Sequence, residues 1–466
     1  MTGVQTCALP ICFSSAYTNC PICVPARASL ATGRYVHDIR FWDNAIAYDG
    51  SVPSWGHRVM AKGHQAVSIG KLHYVSSDPA RNGFTQEILP MHLADGDGDV
   101  VGLIRDELIV RKGAAKLGPE AGPGESDYTR YDRSIAENAC NWLTRTAPAI
   151  KDKPWVLYVG FVCPHPPLIA PPEFFALYEH LDIPMPNMYA ENERPRHPWL
   201  DFMRKGRPYD AGFTGPAMVK RAIAAYLGST SFLDYNVGRV LDALKQSGLE
   251  DSTRVIYSSD HGENLGTRGL WAKNTLYEES AGIPLIMAGP DVPQGRVIGD
   301  PVTLADIFPT VLDCVGVAAD PADHDLPGSS LLAGATQGAM WAGGGAAAVQ
   351  ALHRGLRNEV AGKIQQDRLV ADGDLHEELR LRELPHQPEL LHLVGGNEAH
   401  RLAGRAGAAG ASDPVHIVLG VERQFEVDDG REALDVEAAR GNVGGNHHAR
   451  LSSLERRERL VALLLV

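Results

Sequence analysis

Apolar positions along this chain fall into two rhythms, continuous runs and helical spacings. "PWVLYVGFV" (Pro154 to Val162) is an unbroken apolar run, the pattern of a strand covered on both faces. It stops at "CPHPP", where prolines end any hydrogen-bond ladder. "RVIYSSDHGENLG" repeats the device, with a short strand through Tyr257 and a polar loop from Asp260. "GIPLIMAGP" predicts a third strand of the same kind. Between them the spacing is helical. Leu233, Val237, Val240, Leu241 and Leu244 share one face, as do Ile135, Ala139, Trp142 and Leu143. "TLADIFPTVLDCVGV" predicts a further helix with Pro309 inside it, and Lys116–Asp127 ("KLGPEAGPGESD") a loop. Strands alternating with helices predict an α/β fold, a largely parallel sheet with helices on both faces. In such sheets the site lies beyond the carboxyl ends of the strands, where His165 and Asp260 both fall. No internal repeat is present.

Composition narrows the class. With 44% apolar and 22% charged residues over 466 positions, the chain can bury a large core. A formal charge of -13 argues against a general nucleic-acid partner, and no apolar run is long enough to span a membrane. An anionic substrate would need a local cluster of Lys, Arg and His, or a metal. The two ends differ in character from the middle. "MTGVQTCALPI" reads as translated sequencing adapter, so residues 1–11 are expected to add no first strand. No cleavable leader is visible, because Arg27 and Arg34 follow the apolar stretch instead of preceding it; cytoplasm and periplasm both stay open. From Ala333 onward there is no Tyr or Cys, and only Phe425, Trp341 and Lys363 of their kinds. Such a segment is expected to be a non-native or disordered tail, dispensable for the core, with a genuine C-terminal subdomain as the alternative. The expected division is therefore 1–11, a catalytic domain over 12–332 that is truncated at its N-terminus, and 333–466.

Four of the seven cysteines lie in the first thirty residues. Cys20 and Cys23 make a Cys-x-x-Cys, but Pro21 and Pro25 surround it where a thioredoxin-like pair should open a helix, and no second Cys pair exists to complete a zinc site. Taken singly, the other chemistry-bearing residues have bland readings. His73 and His165 read as hydrogen-bonded structural histidines, Lys71 and Lys273 as surface charges, and Asp260 as a turn cap.

Their joint order changes that. "CVPAR" followed by "ASLATGRY" resembles the modification signature of the formylglycine-dependent sulfatases of the alkaline phosphatase superfamily. The blocks "TGRYVHD", "SIGKLHY", "PHPP", "SSDHGENLG", "GLWAKNTLYEES", "IFPTVLD" and "LPGSSLL" then follow in the family's order, over roughly residues 13–332. The resemblance implies the alkaline-phosphatase-like fold. It implies that Cys23 is oxidised to an aldehyde by a formylglycine-generating enzyme and hydrated to a diol. One hydroxyl would attack sulfur and the other expel sulfate. Arg27 matches the arginine of the signature. Lys71 and His73 take sulfate-contacting and elimination-assisting roles, His165 contacts the ester or leaving group, and Lys273 is a second sulfate-binding lysine. Asp260 and His261, with the nucleophile at Cys23, are the implied metal ligands.

Two departures are visible. Ala26 stands where the family usually has Ser, and no Asp or Glu precedes Asp38, where the resemblance implies adjacent acidic metal ligands at the end of the first strand. The implied metal is Ca2+; the nitrogen of His261 leaves Mn2+ open, and Mg2+ stays beside it. The expected function is hydrolysis of a small-molecule sulfate ester, whether of choline, an aryl alcohol or a sugar. The rivals are a phosphonate monoester or phosphodiester hydrolase of the same superfamily and an inert fragment. A homo-oligomer is left open.

Overall fold

The computed structural model describes residues 10–93 and 108–332, with the backbone of 460–465. All of them belong to one compact unit. Residues 1–9 and 333–459, on which most of the adapter and tail expectations fall, lie outside the described residues.

An eight-stranded sheet organises the unit. Its strands are β1 (Ile11–Phe13), β2 (Gln65–Lys71), β3 (Gln86–Met91), β4 (Trp155–Gly160), β5 (Thr253–Ser258), β6 (Leu285–Ala288), β7 (Val297–Ile298) and β8 (Leu460–Leu465). Their spatial order is β7-β1-β6-β5-β8-β4-β2-β3. β8 pairs in parallel with β4 and β5, and β2 in parallel with β3 and β4. Only β6 is reversed, antiparallel to β5 and to β1.

Alternation along the strands builds two apolar layers. Val156 and Tyr158 of β4 point to one side, with α1 (Cys23–Thr32) and α4 (Ile307–Val315). Trp155, Leu157 and Val159 point to the other, with α2 (Asp127–Asn141) and α3 (Pro216–Gln246). A strand that must satisfy both layers has no polar face, which is why β4 reads as an unbroken apolar run. The helix faces are as the spacing predicts: Leu233, Val240 and Leu244 are buried against Ile135, Ala139, Trp142 and Leu143. Pro309 interrupts nothing, because it sits in the first turn of α4, where its missing N–H is not needed.

Three features differ from the sequence reading. The 116–127 segment is not all loop; it carries a helical turn (Leu117–Glu120) and a two-residue strand (Gly122–Pro123) paired with Ile169–Ala170. Ile11, counted with the adapter-like residues, is fully buried and pairs with Met287. The far end is not wholly outside the sheet either: Leu460–Leu465 forms β8, the strand between β4 and β5. That position demands an apolar segment open to pairing on both edges, and "LVALLL" meets the demand despite the composition around it.

Candidate active site

The site forms where β2, β4 and β5 end. α1 begins at Cys23, and Pro25 falls in the first turn, where a proline costs no intrahelical hydrogen bond. All ten residues of α1 are buried, and Gly33 closes the helix in the left-handed region at φ 68°. The N-cap Ile22 offers no side-chain cap; instead the Val24 amide donates to Asn44 Oδ1 at 3.1 Å. The Cys23 sulfur thus stands at the positive end of a buried helix.

Arg27, one turn later on the same face, anchors the centre to the sheet. Its Nε donates to Asp260 Oδ2 at 2.8 Å, and its Nη1 to the Tyr158 hydroxyl at 2.8 Å and to the Lys71 carbonyl at 2.9 Å. Around Cys23 Sγ lie Lys273 Nζ at 2.8 Å and His261 Nε2 at 3.3 Å. His73 and His165 also lie close enough to Cys23 to interact with it electrostatically.

Local backbone explains why these residues converge. In "SIGKLHY" the register slips between Ile69 and Lys71. Gly70 takes φ 99°, and a Cβ there would lie 2.3 Å from the Gly160 carbonyl oxygen. Only glycine permits that approach, and the bend turns Lys71 and His73 into the centre. His73 itself adopts φ 62°. Lys273 is held by its neighbours. The Asn274 amide donates to the Pro21 carbonyl, and Asn264 donates to Ala272 O from Nδ2 at 2.6 Å and from its amide at 2.8 Å. Asp132 of α2 accepts from the Val162 and Cys163 amides, both at 2.9 Å, and so fixes the turn that carries His165. Tyr128 packs edge-on against the His165 ring.

All eight residues singled out from the sequence are therefore in one cluster, with His73, His165 and His261 half-buried and the rest buried. Sequence reasoning missed Tyr158, Asp132, Asn44 and Tyr128. Each acts through a partner far away in the chain, and only Tyr158 had a signal, its place in a strand ending at the site.

The electrostatics follow from charge crowding. Burial alone would push the Cys23 thiol up, but Lys273, Lys71 and His261 hold it well below its ordinary value. Burial and then Lys71 lower His73 to about 4; burial and then Lys273 lower His165 to about 4. Burial would raise the Asp260 carboxyl, yet His261, Arg27 and Lys71 bring it down to about 2. Cys20 is the opposite of its neighbour: burial, then Asp43, push its thiol up to about 12. The two thiols are thus shifted in opposite directions, and only Cys23 gains thiolate character.

Residues 7–317 match the Sulfatase family, so the chain belongs to the sulfatase family. It is similar to choline-sulfatase of Rhizobium meliloti (strain 1021), 30% identical over 326 residues, covering 69% of this chain and 63% of that protein. It is also similar to arylsulfatase K of Homo sapiens, 31% identical over 337 residues, covering 69% and 58%. The chain thus spans about six-tenths of the length of these curated relatives. Among solved structures, phosphonate monoester hydrolase from Silicibacter pomeroyi has the same fold, with a TM-score of 0.52 at 22% identity over 71% of this chain and 70% of that one. The fold is the alkaline-phosphatase-like α/β fold of the sulfatases. Family membership brings a formylglycine and a divalent metal in general terms.

Calcium takes six to eight oxygen ligands. Among the described residues the centre offers one carboxylate, Asp260, already bonded to Arg27, together with an imidazole and a sulfur. That set does not make a calcium cage.

Proposed function

We propose that the protein hydrolyses sulfate esters, with Cys23 as the precursor of the nucleophile. The observation that carries this reading is the ring of polarised groups around one helix-terminal sulfur, with Lys273 Nζ at 2.8 Å and His261 at 3.3 Å, and Lys71, His73 and His165 beside them. The sulfur marks where the oxygen nucleophile would stand. Converted to formylglycine and hydrated, Cys23 supplies one hydroxyl to attack sulfur and a second to expel sulfate.

The remaining work belongs to the chain's own side chains. Lys71 and Lys273 hold the nonbridging oxygens of the sulfate, on which negative charge grows. Both are buried, so little water screens them. His73, neutral near pH 7 because of its lowered pKa, is suited to accept a proton during sulfate release. His165 donates from Nδ1 to the Pro166 carbonyl, which leaves an electron pair on Nε2; a proton taken up there would let it donate to the bridging oxygen of the leaving alcohol. Arg27 holds α1 and Asp260 in register. The divalent metal is implied by the family; calcium as its identity would need carboxylates beyond the described residues, and no step here depends on it.

The test is to co-express the full chain with a formylglycine-generating enzyme and assay aryl sulfate, choline sulfate and aryl phosphonate side by side. Turnover of a sulfate ester, lost in Cys23→Ala, is the expected result. Preferential turnover of the phosphonate would move the protein to the phosphonate hydrolases of the same fold. Confirmed conversion at Cys23 without turnover of any of the three would sink the reading.

A further inference from the structure

Helix α2 meets the turn that carries His165 at two points, four residues apart and so on one face of the helix. At the first, the Tyr128 ring packs edge-on against the His165 imidazole, with centroids 5.7 Å apart and planes at 83°. At the second, Asp132 accepts from the Val162 amide at Oδ1 and from the Cys163 amide at Oδ2, both at 2.9 Å. The His165 amide donates to the Val162 carbonyl at 3.0 Å. That carbonyl and the Cys163 amide belong to one peptide, so Asp132 grips the unit on which His165 closes its turn. The grip is firm at its base. A capping box of Ser126 and Thr129 starts α2, and Ile135 and Ala139 lie in the core. Asp132 is 0% exposed, and it spends both carboxylate oxygens on backbone amides.

We propose that Asp132 is a positioning residue for His165: its charged carboxylate holds the turn after β4, keeps the imidazole where the leaving alcohol departs, and releases the turn when the charge is lost. The proposal rests on the functional reading for the alcohol and adds what sets its departure. A carboxylate accepts from both amides. A carboxylic acid carries a proton on one oxygen, which then meets an N–H donor, so one of the two bonds is lost. Burial, opposed by the Cys163 and Val162 amides, raises the Asp132 carboxyl to about 6. The groups around it come from three elements. Lys71 of β2 and Arg133, near Cys163, are the cations. The Cys163 thiol, with Ser229 of α3 beside it, and the Tyr131 hydroxyl of α2 are both raised by burial, so they stay protonated near neutrality. His165 itself, lowered by burial and then Lys273, titrates near 4, well apart from Asp132. A misplaced imidazole matters most to an ester whose leaving oxygen needs a proton, and least to one that departs as a stable anion.

The experiment uses the full chain converted at Cys23 and two esters, phenyl sulfate and the activated p-nitrophenyl sulfate. Asp132→Asn should lower kcat for phenyl sulfate on the order of 100-fold with KM little changed, and should slow p-nitrophenyl sulfate far less. In the unaltered enzyme, kcat for phenyl sulfate should fall as pH drops through about 6, and Asp132→Asn should lack that limb. A general folding defect would slow both esters alike. Equal losses on the two esters, or a limb near pH 6 kept by the variant, would overturn the proposal. A second readout needs neither variant nor turnover. Corrected for intrinsic rates, hydrogen exchange at the Val162 and Cys163 amides should be faster below pH 6 than above it. Unchanged protection across that pH would overturn the proposal even where Asp132→Asn fails to fold. Absence of turnover on every sulfate ester strikes the functional reading alone, and the exchange still decides whether the charge on Asp132 holds the turn.

Discussion

The turn that begins α1 and the strand in the middle of the sheet belong to the same unit, but they are specified in different ways. At the turn, each side chain has named partners: Arg27 reaches Asp260, Tyr158 and the Lys71 carbonyl, and Lys273 reaches Cys23. At the sheet centre, β8 makes a parallel ladder on both edges, a demand that backbone and apolar character satisfy without particular residues. A site of paired charges tolerates few replacements, because removing one partner leaves another buried and unpaired. A strand slot tolerates many sequences and rejects only polar or proline-broken ones.

Experiments can sharpen that contrast, beginning where the largest effect is expected. Cys23→Ala should abolish ester hydrolysis by the converted enzyme outright, while Cys20→Ala, three residues away, should keep most of it. Turnover retained in the first and lost in the second would revive the paired-cysteine reading. Truncation after Arg459 should lower stability by more than a typical single core substitution, above roughly 5 kcal/mol, since β4 and β5 lose their shared neighbour. Unchanged thermal unfolding of the truncated chain would show that β8 adds nothing and restore the expectation of a dispensable tail. Replacing several leucines of β8 by Val or Ile should change stability far less. Lys71→Ala should cost about 3 kcal/mol of transition-state stabilisation, read as kcat/KM.

The smallest effect is with pH. His73 and His165 protonate near 4 in the folded state and near 6.5 when unfolded. Below about 6.5 the unfolded chain therefore takes up protons that the folded chain refuses, and stability falls as pH drops toward 4. The double variant His73→Gln, His165→Gln should unfold with a shallower pH slope over that range; an unchanged slope would place the acid sensitivity elsewhere.

Sequence pattern made parts of both regions legible. Long apolar runs announced β4, β5 and β6, and the helical spacing gave the buried faces of α2 and α3. The direction of β6 was not legible, because a buried run looks the same in either orientation. β2 was missed as a strand, since Ser68 and Gly70 break the apolar pattern although both are buried. The place of β8 was hidden by the composition of the residues before it. At the site, the ordered blocks pointed to all eight residues, whereas Asp132 and Asn44 hold backbone amides far along the chain and leave no local mark.

Burial of α1 also sets an order in time. Cys23 is 1% exposed and every residue from Cys23 to Thr32 is buried. An enzyme that converted Cys23 as proposed would need Cys23, Pro25 and Arg27 as an accessible peptide, and in the folded protein all three are buried. Arg27 is meanwhile committed to Asp260, Tyr158 and the Lys71 carbonyl, contacts that close only when the sheet has assembled. Conversion therefore has a deadline. On the proposed function it would fall on the nascent or unfolded chain, and a molecule that folded first would keep its thiol for as long as it stayed folded.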